Sequence, residues 1–147
     1  MNAERQGPNL GVLLFVSNRA LEERAHDAVA AAGFTDITLA QARIAARIGP
    51  NGTRVSSLAT QARVTKQSAA FLVEQLEATG YVERIPDPSD GRARLVRLTE
   101  RAARLVEVAN AEVERVLGEW ADHVGAERLR LAYDVLADLR EINDPWR

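Results

Sequence analysis

Between Val55 and Thr99 two short apolar helical segments are followed by a strand, a tip rich in Pro, Asp and Gly, and a second strand. The first helix opens at Ser56, whose hydroxyl suits the free backbone N–H groups of a helix start, and runs through Leu58, Ala59 and Ala62. Thr65 restarts the chain as a second N-cap, and the helix from Lys66 ends near Gly80, a residue suited to a left-handed stop. Ala69, Leu72, Val73 and Leu76 recur at helical spacing and form the core face. That spacing turns Lys66, Gln67, Ser68, Ala70 and Phe71 outward. Tyr81 to Ile85 can then pair with Arg94 to Leu98 across Pro86 to Arg92, a hairpin whose long, stiff tip leaves Arg92 at the end of a finger.

Two helices and a hairpin in this order make a winged helix-turn-helix, an arrangement that reads DNA. The tip Asp87, Pro88, Ser89, Asp90, Gly91, Arg92 and the strand end Val96, Arg97, Leu98, Thr99 resemble the MarR family of bacterial transcription regulators. The wing of that family typically reads Asp-Pro-x-Asp-basic-Arg before an apolar strand ending in Leu-Thr. Two positions depart from the pattern: Gly91 stands where a second basic residue is usual, and Ala70-Phe71 replaces a small polar residue plus arginine. Both bear on which DNA sequence is read. The resemblance implies a mainly α fold with a small β-wing, one domain over 1–147. Its winged helix-turn-helix would span about 37–99, flanked by dimerisation helices at about 9–32 and 100–142.

The chain has 147 residues, enough for one compact domain or one subunit of an interlocked dimer. No apolar run approaches the roughly 20 residues of a membrane span. The start Met1–Gln6 lacks the basic and apolar regions of a signal peptide, so a cytoplasmic location with no membrane partner is expected. With no cysteine, disulfides, thiolate zinc sites and thiol redox sensing are excluded. The two histidines, His26 and His123, lie far apart, and neither a phosphate-binding glycine loop nor metal-ligand spacing occurs. No enzyme activity and no cofactor are expected. The net charge of -2 is unevenly spread: 53–104 carries nine basic and six acidic groups, whereas 105–147 carries five and ten. The positive segment coincides with the winged helix, as a phosphate-facing surface requires.

Apolar residues recur helically from Leu10 to Ala32, with Gly33 as stop, and a shorter helix covers Leu39 to Ile48 before the loop Gly49-Pro50-Asn51-Gly52. Thr99 can cap the next helix, which presents Leu105, Val108, Ala109, Val113, Val116, Leu117 and Trp120, and the stretch from Gly125 to Ile142 adds Leu129, Ala132, Tyr133, Leu136 and Leu139. A small winged helix does not need three further amphipathic helices to bury its own core. Their apolar faces are therefore expected to meet a second copy, and the resemblance implies the same homodimer. Two recognition helices about one duplex turn apart match a palindromic operator with half-sites roughly 10 to 10.5 base pairs apart.

Lys66, Gln67 and Ser68 occupy the first turn of the recognition helix. The Gln67 amide can both donate to and accept from adenine and is the main candidate for a base contact. Ser68 suits base or phosphate; Lys66 and Arg63 suit positioning charge, and Thr65 stands beside them. Phe71 either packs on a thymine methyl or is a partly exposed core residue. Arg92 is expected in the adjacent minor groove, while Arg54 and Arg94 either meet phosphates or are solvated charges. For Asp90 the resemblance implies a charge-assisted hold on an arginine, Arg92 or Arg94; the other reading is a plain Asp-Gly turn.

The resemblance further implies a small aromatic or anionic effector in a cleft between the dimer helices and the winged part, for which Phe15, Asn18, His26 and Trp120 are the candidates. Core packing of Phe15 and Trp120, and a surface or capping role for His26, are the other readings. The function expected is a sequence-specific regulator of transcription, a homodimeric repressor released by its effector, the word repressor resting on the resemblance alone. The competing reading is a winged-helix protein–protein interaction module without DNA binding.

Overall fold

A computed structural model describes residues 7–146; the Met1–Gln6 segment read for a signal peptide lies outside them. The elements are α1 (Leu10–Ala31), α2 (Leu39–Ala45), α3 (Val55–Ala62), α4 (Lys66–Ala78), β1 (Val82–Asp87), β2 (Asp90–Leu98), α5 (Glu100–Val124) and α6 (Ala126–Asn143). Side-chain caps start four of the helices. Asn9 accepts from the Val12 N–H at 3.0 Å, Thr65 from Ser68 at 3.0 Å and Thr99 from Ala102 at 3.4 Å. Thr38 and Gln41 form a reciprocal capping box at the start of α2.

The expected cap at Ser56 is not formed. Thr53 is held to Val96 by a pair of 2.9 Å backbone hydrogen bonds, so the chain already turns helical at Val55, behind Arg54, and Ser56 falls inside the first turn. The second helix also stops short of Ile48. Hydrogen bonds from Arg47 to Ile44 and from Ile48 to Ala45 tighten the chain after Ala45 and bring Ile48 into the core. Between α3 and α4 the reversal uses Arg63 at φ +54, with the Val64 N–H closing on the Ala59 carbonyl at 3.1 Å. A non-glycine residue carries this left-handed turn.

The wing is a two-stranded antiparallel sheet with Val82 opposite Leu98 and Pro86 opposite Arg94. The register then jumps so that Asp87 faces Asp90, leaving Gly91, Arg92 and Ala93 as extra residues on β2. The tip is therefore shorter than expected: Pro88 and Ser89 make the turn, and Arg92 stands on the bulge rather than at the end of a finger. Pro86, which has no N–H to give to the ladder, stands at the last regular pair before the shift, and Pro88 lies in the turn. Gly52 lies so close under the wing that a Cβ there would sit 2.9 Å from the Leu95 Cβ. Its φ of +89 already favours glycine.

The core sits inside the winged helix. Ile44, Leu58, Ala69, Val73, Leu76, Tyr81, Val82 and Val96 are buried together, and Val29 of α1 and Ala102 of α5 close the cluster from the flanks. α1 packs along α5, where Arg24 donates to Glu112 at 2.8 Å and to both oxygens of Glu119. α6 buries no residue. Leu10, Leu13, Leu14 and Phe15 at the start of α1, and Leu131, Tyr133, Leu136 and Ile142 of α6, are exposed. Among the described residues no helix is long and apolar enough to cross a membrane.

Candidate nucleic-acid interface

α4 presents its amino-terminal turn to solvent because its opposite face is anchored: Ala69, Val73 and Leu76 are fully buried. Leu72, expected beside them, is only half-buried. The Thr65 hydroxyl caps the helix and donates to the Ser68 Oγ at 2.8 Å, so these two candidates are partnered to each other. Lys66 and Gln67 are exposed and make no side-chain hydrogen bond or ion pair among the described residues. The backbone N–H groups of a helix start add positive potential at the same place. Phe71, 59% exposed, follows one turn later, which removes it from the core. Arg63 is exposed in the turn just before α4.

The arginines around the wing divide by partner. Arg54 donates from Nε and Nη2 to Asp87 Oδ2 at 2.8 and 2.6 Å, and its Nη2 lies 3.7 Å from Asp90 Oδ2. Asp90 thus faces Arg54, not Arg92 or Arg94, because the bulge carries those two side chains past it. Its other oxygen accepts the Arg92 backbone N–H at 3.1 Å, the Asx turn of the plainer reading. Arg94 donates to the Arg84 carbonyl at 3.2 Å, and Arg84 and Arg97 pair with Glu77 and Glu83. Arg92 alone among these wing arginines is exposed without a side-chain partner among the described residues.

Asp87 is the site residue that sequence reasoning missed as a functional group, although it stood inside the quoted motif. It is 7% exposed and also accepts from the Ser89 Oγ and N–H at 2.7 and 2.9 Å. The Ser89 bonds first, then the Arg54 guanidinium, hold its carboxyl at about 2, below the ordinary 3.8. Because the folded value is depressed, the ionised group stabilises the wing fully above about pH 4, and that contribution is lost as pH falls towards 2. Thermal unfolding of the protein and of Asp87→Asn, compared from about pH 7 to about pH 2, is expected to show the difference between them shrinking only below about pH 4. A difference independent of pH would dismiss the carboxylate's ionisation as the cause.

A second concavity lies where α1, α2 and α5 meet, a cleft of about 210 Å³ walled by Ala25, Val29, Ile37, Leu39, Ala42, Leu105 and Ala109. His26 and the ion pair between Glu22 and Arg43, 2.7 Å apart, supply its polar edge. Of the four candidates for an effector cleft only His26 lines it. Asn18, exposed one turn before Glu22 on α1, hydrogen-bonds that carboxylate without lining the cleft; Phe15 is exposed about two turns before Glu22, and Trp120 lies well beyond Ala109 on α5. Helical rise separates Phe15 and Trp120 from the cleft: about 1.5 Å per residue puts them more than one turn away along their helices. Among the described residues no cluster of metal-ligating groups occurs.

Residues 35–93 match the family model described as MarR family. The HTH-type transcriptional regulator FarR of Neisseria gonorrhoeae is 32% identical over 110 residues, covering 74% of this chain and 75% of that protein. The uncharacterized HTH-type transcriptional regulator YdgJ of Bacillus subtilis is 40% identical over 88 residues, 58% of this chain. The matched region spans about half of that relative's length, 54%. The crystal structure of NadR in complex with 4-hydroxyphenylacetate superposes with a TM-score of 0.68 at 26% identity, covering 97% of this chain and 99% of that one.

Proposed function

The chain belongs to the MarR family of transcriptional regulators, and from that premise we propose that it binds double-stranded DNA as a homodimeric repressor of a palindromic operator, released by a small aromatic or anionic effector. The observation that carries this reading is the set of unpartnered, exposed groups among the described residues on the two elements of the winged helix: Lys66 and Gln67 on the first turn of α4 and Arg92 on the wing bulge. Groups with internal partners contribute to shape; groups without them are available to a ligand. Gln67 would read a base edge, Lys66 and Arg63 would meet phosphates, and Arg92 would enter a minor groove. Ser68, whose Oγ accepts from Thr65, keeps its own O–H to donate to a phosphate oxygen, whereas Thr65 acts by capping α4 and Arg54, Asp90 and Arg94 by shaping the wing. Phe71 contributes an apolar contact.

The homodimer is supported by the apolar surface that the chain leaves uncovered on α1 and α6, too extended for an isolated monomer. The winged part at about 37–99 would then be carried on helices contributed by both copies. The cleft supports the effector reading by size. An engineered apolar cavity of about 150 Å³ holds benzene, so about 210 Å³ suits one aromatic ring with a short substituent. His26 at its edge can donate to an acidic substituent, Arg43 being already paired with Glu22, and NadR, similar over its whole length, has been crystallised with 4-hydroxyphenylacetate.

The test is binding to the duplex upstream of the protein's own gene across a salt series, beside a scrambled duplex. Preference for the former, with affinity falling steeply as salt rises, is expected, because each neutralised phosphate releases counterions. Equal affinity for both duplexes, followed by failure to enrich any sequence from genomic fragments, would leave the interaction-module reading in its place.

A further inference from the structure

Asp36, in the loop between α1 and α2, Tyr81, between α4 and β1, and Arg101, on the first turn of α5, converge on one point. The Tyr81 hydroxyl donates to Asp36 Oδ1 at 2.5 Å, and Arg101 Nη2 donates to both Asp36 oxygens at 3.0 Å. The guanidinium carbon of Arg101 lies 4.3 Å from the centre of the Tyr81 ring, a cation–π contact. Arg101 Nη1 donates to the carbonyl of Thr79, the residue that ends α4. Next to it, Thr99 Oγ1 donates to the Gly80 carbonyl at 2.6 Å. The carboxy-terminal end of α4 is thus tied by side chains to the start of α5.

The consequence follows from what these elements carry. α4 bears the exposed Lys66 and Gln67 at its far end, so a small rotation at Thr79 moves them by ångströms. α5 continues into α6 and packs along α1, the two helices whose apolar faces are uncovered. We propose that Asp36, Tyr81 and Arg101 form a latch that sets the direction of α4 relative to α5, with Arg101 as the positioning residue. A lysine at 101 cannot reproduce this, because a point charge lacks the planar fork that meets a carboxylate with one nitrogen and a carbonyl with another while lying over a ring. Ile37 and Leu105, which wall the cleft, stand one residue from Asp36 and one turn from Arg101. The latch therefore joins two segments that wall the cleft.

The absence of cysteine makes a direct test available. Spin labels on cysteines introduced at the exposed Glu74 of α4 and Glu114 of α5, diluted with unlabelled protein, report the α4–α5 distance within one chain. A single narrow distribution is expected for the parent, and a broad or shifted one for Arg101→Ala and Arg101→Lys. Tyr81→Phe, which removes only the hydroxyl, covers the case in which Arg101→Ala does not fold. Unchanged distributions in folded variants would overturn the latch. This arm needs no DNA, so it stands apart from the DNA-binding reading on which the next arm rests. In operator duplexes with one base pair inserted between half-sites, the parent's preference for the native spacing is expected to fall at least about fivefold in Arg101→Lys. A variant that is merely less stable would keep the parental preference, which would also overturn the proposal.

Discussion

Changing Gln67 and Arg92 together to alanine is expected to abolish discrimination between operator and scrambled duplex while leaving thermal unfolding unchanged. A two-pronged side-chain contact to a base is worth about 1–3 kcal/mol of discrimination, and a dimer makes it twice, so loss of Gln67 alone costs roughly 2–6 kcal/mol. At about 1.4 kcal/mol per tenfold in affinity, that is at least about thirtyfold, before the loss of Arg92 is added. Stability should not follow, because neither side chain has a partner in the folded protein among the described residues. Titration of both duplexes with parent and double variant, beside a melting curve of each, checks both halves. Retained discrimination would remove Gln67 and Arg92 from the contact set and leave the fold untouched.

Leu58→Ala should have the largest effect on stability. Leu58 is completely buried at the centre of the cluster that joins α3 to α4 and the wing. Removing its side chain loses transfer energy and leaves a cavity, which together cost about 2–5 kcal/mol. Against a domain stability of roughly 5–15 kcal/mol, that is a large share. Urea unfolding at fixed protomer concentration should show a lower midpoint with an unchanged slope. A midpoint equal to the parent's would mean that the site collapses around the smaller residue, and that α3 is held chiefly by its neighbours.

These two residues illustrate different degrees of legibility. Leu58 and the α4 face of Ala69, Val73 and Leu76 were evident from helical spacing, because burial of an amphipathic stripe depends on positions three to four apart. Thr65 and Thr99 were legible as caps for a similar reason: a cap and the N–H it serves are three residues apart. Thr38 carries the same signal, with Gln41 at the capping-box spacing. Ser56 failed as a cap because the strand-like pairing of Thr53 with Val96, distant in sequence, fixed where the chain enters α3.

Local chemistry thus determined, from the sequence by itself, the order of helices and strands, the outward face of α4 and the resemblance carried by Asp87 to Arg92. Only the tertiary structure decided which charges remain available. Arg54, Arg92, Arg94 and Arg101 are indistinguishable as letters, yet the fold gives Arg54 to Asp87, Arg94 to the Arg84 carbonyl and Arg101 to Asp36, and leaves Arg92 in solvent. It likewise put His26 beside the cleft and left Phe15, Asn18 and Trp120 out of its lining. The physical reason is range. Caps, turns and apolar stripes act over a few residues, whereas an ion pair is set by where two distant segments meet, and its partner is chosen by the packing that brings them within about 4 Å.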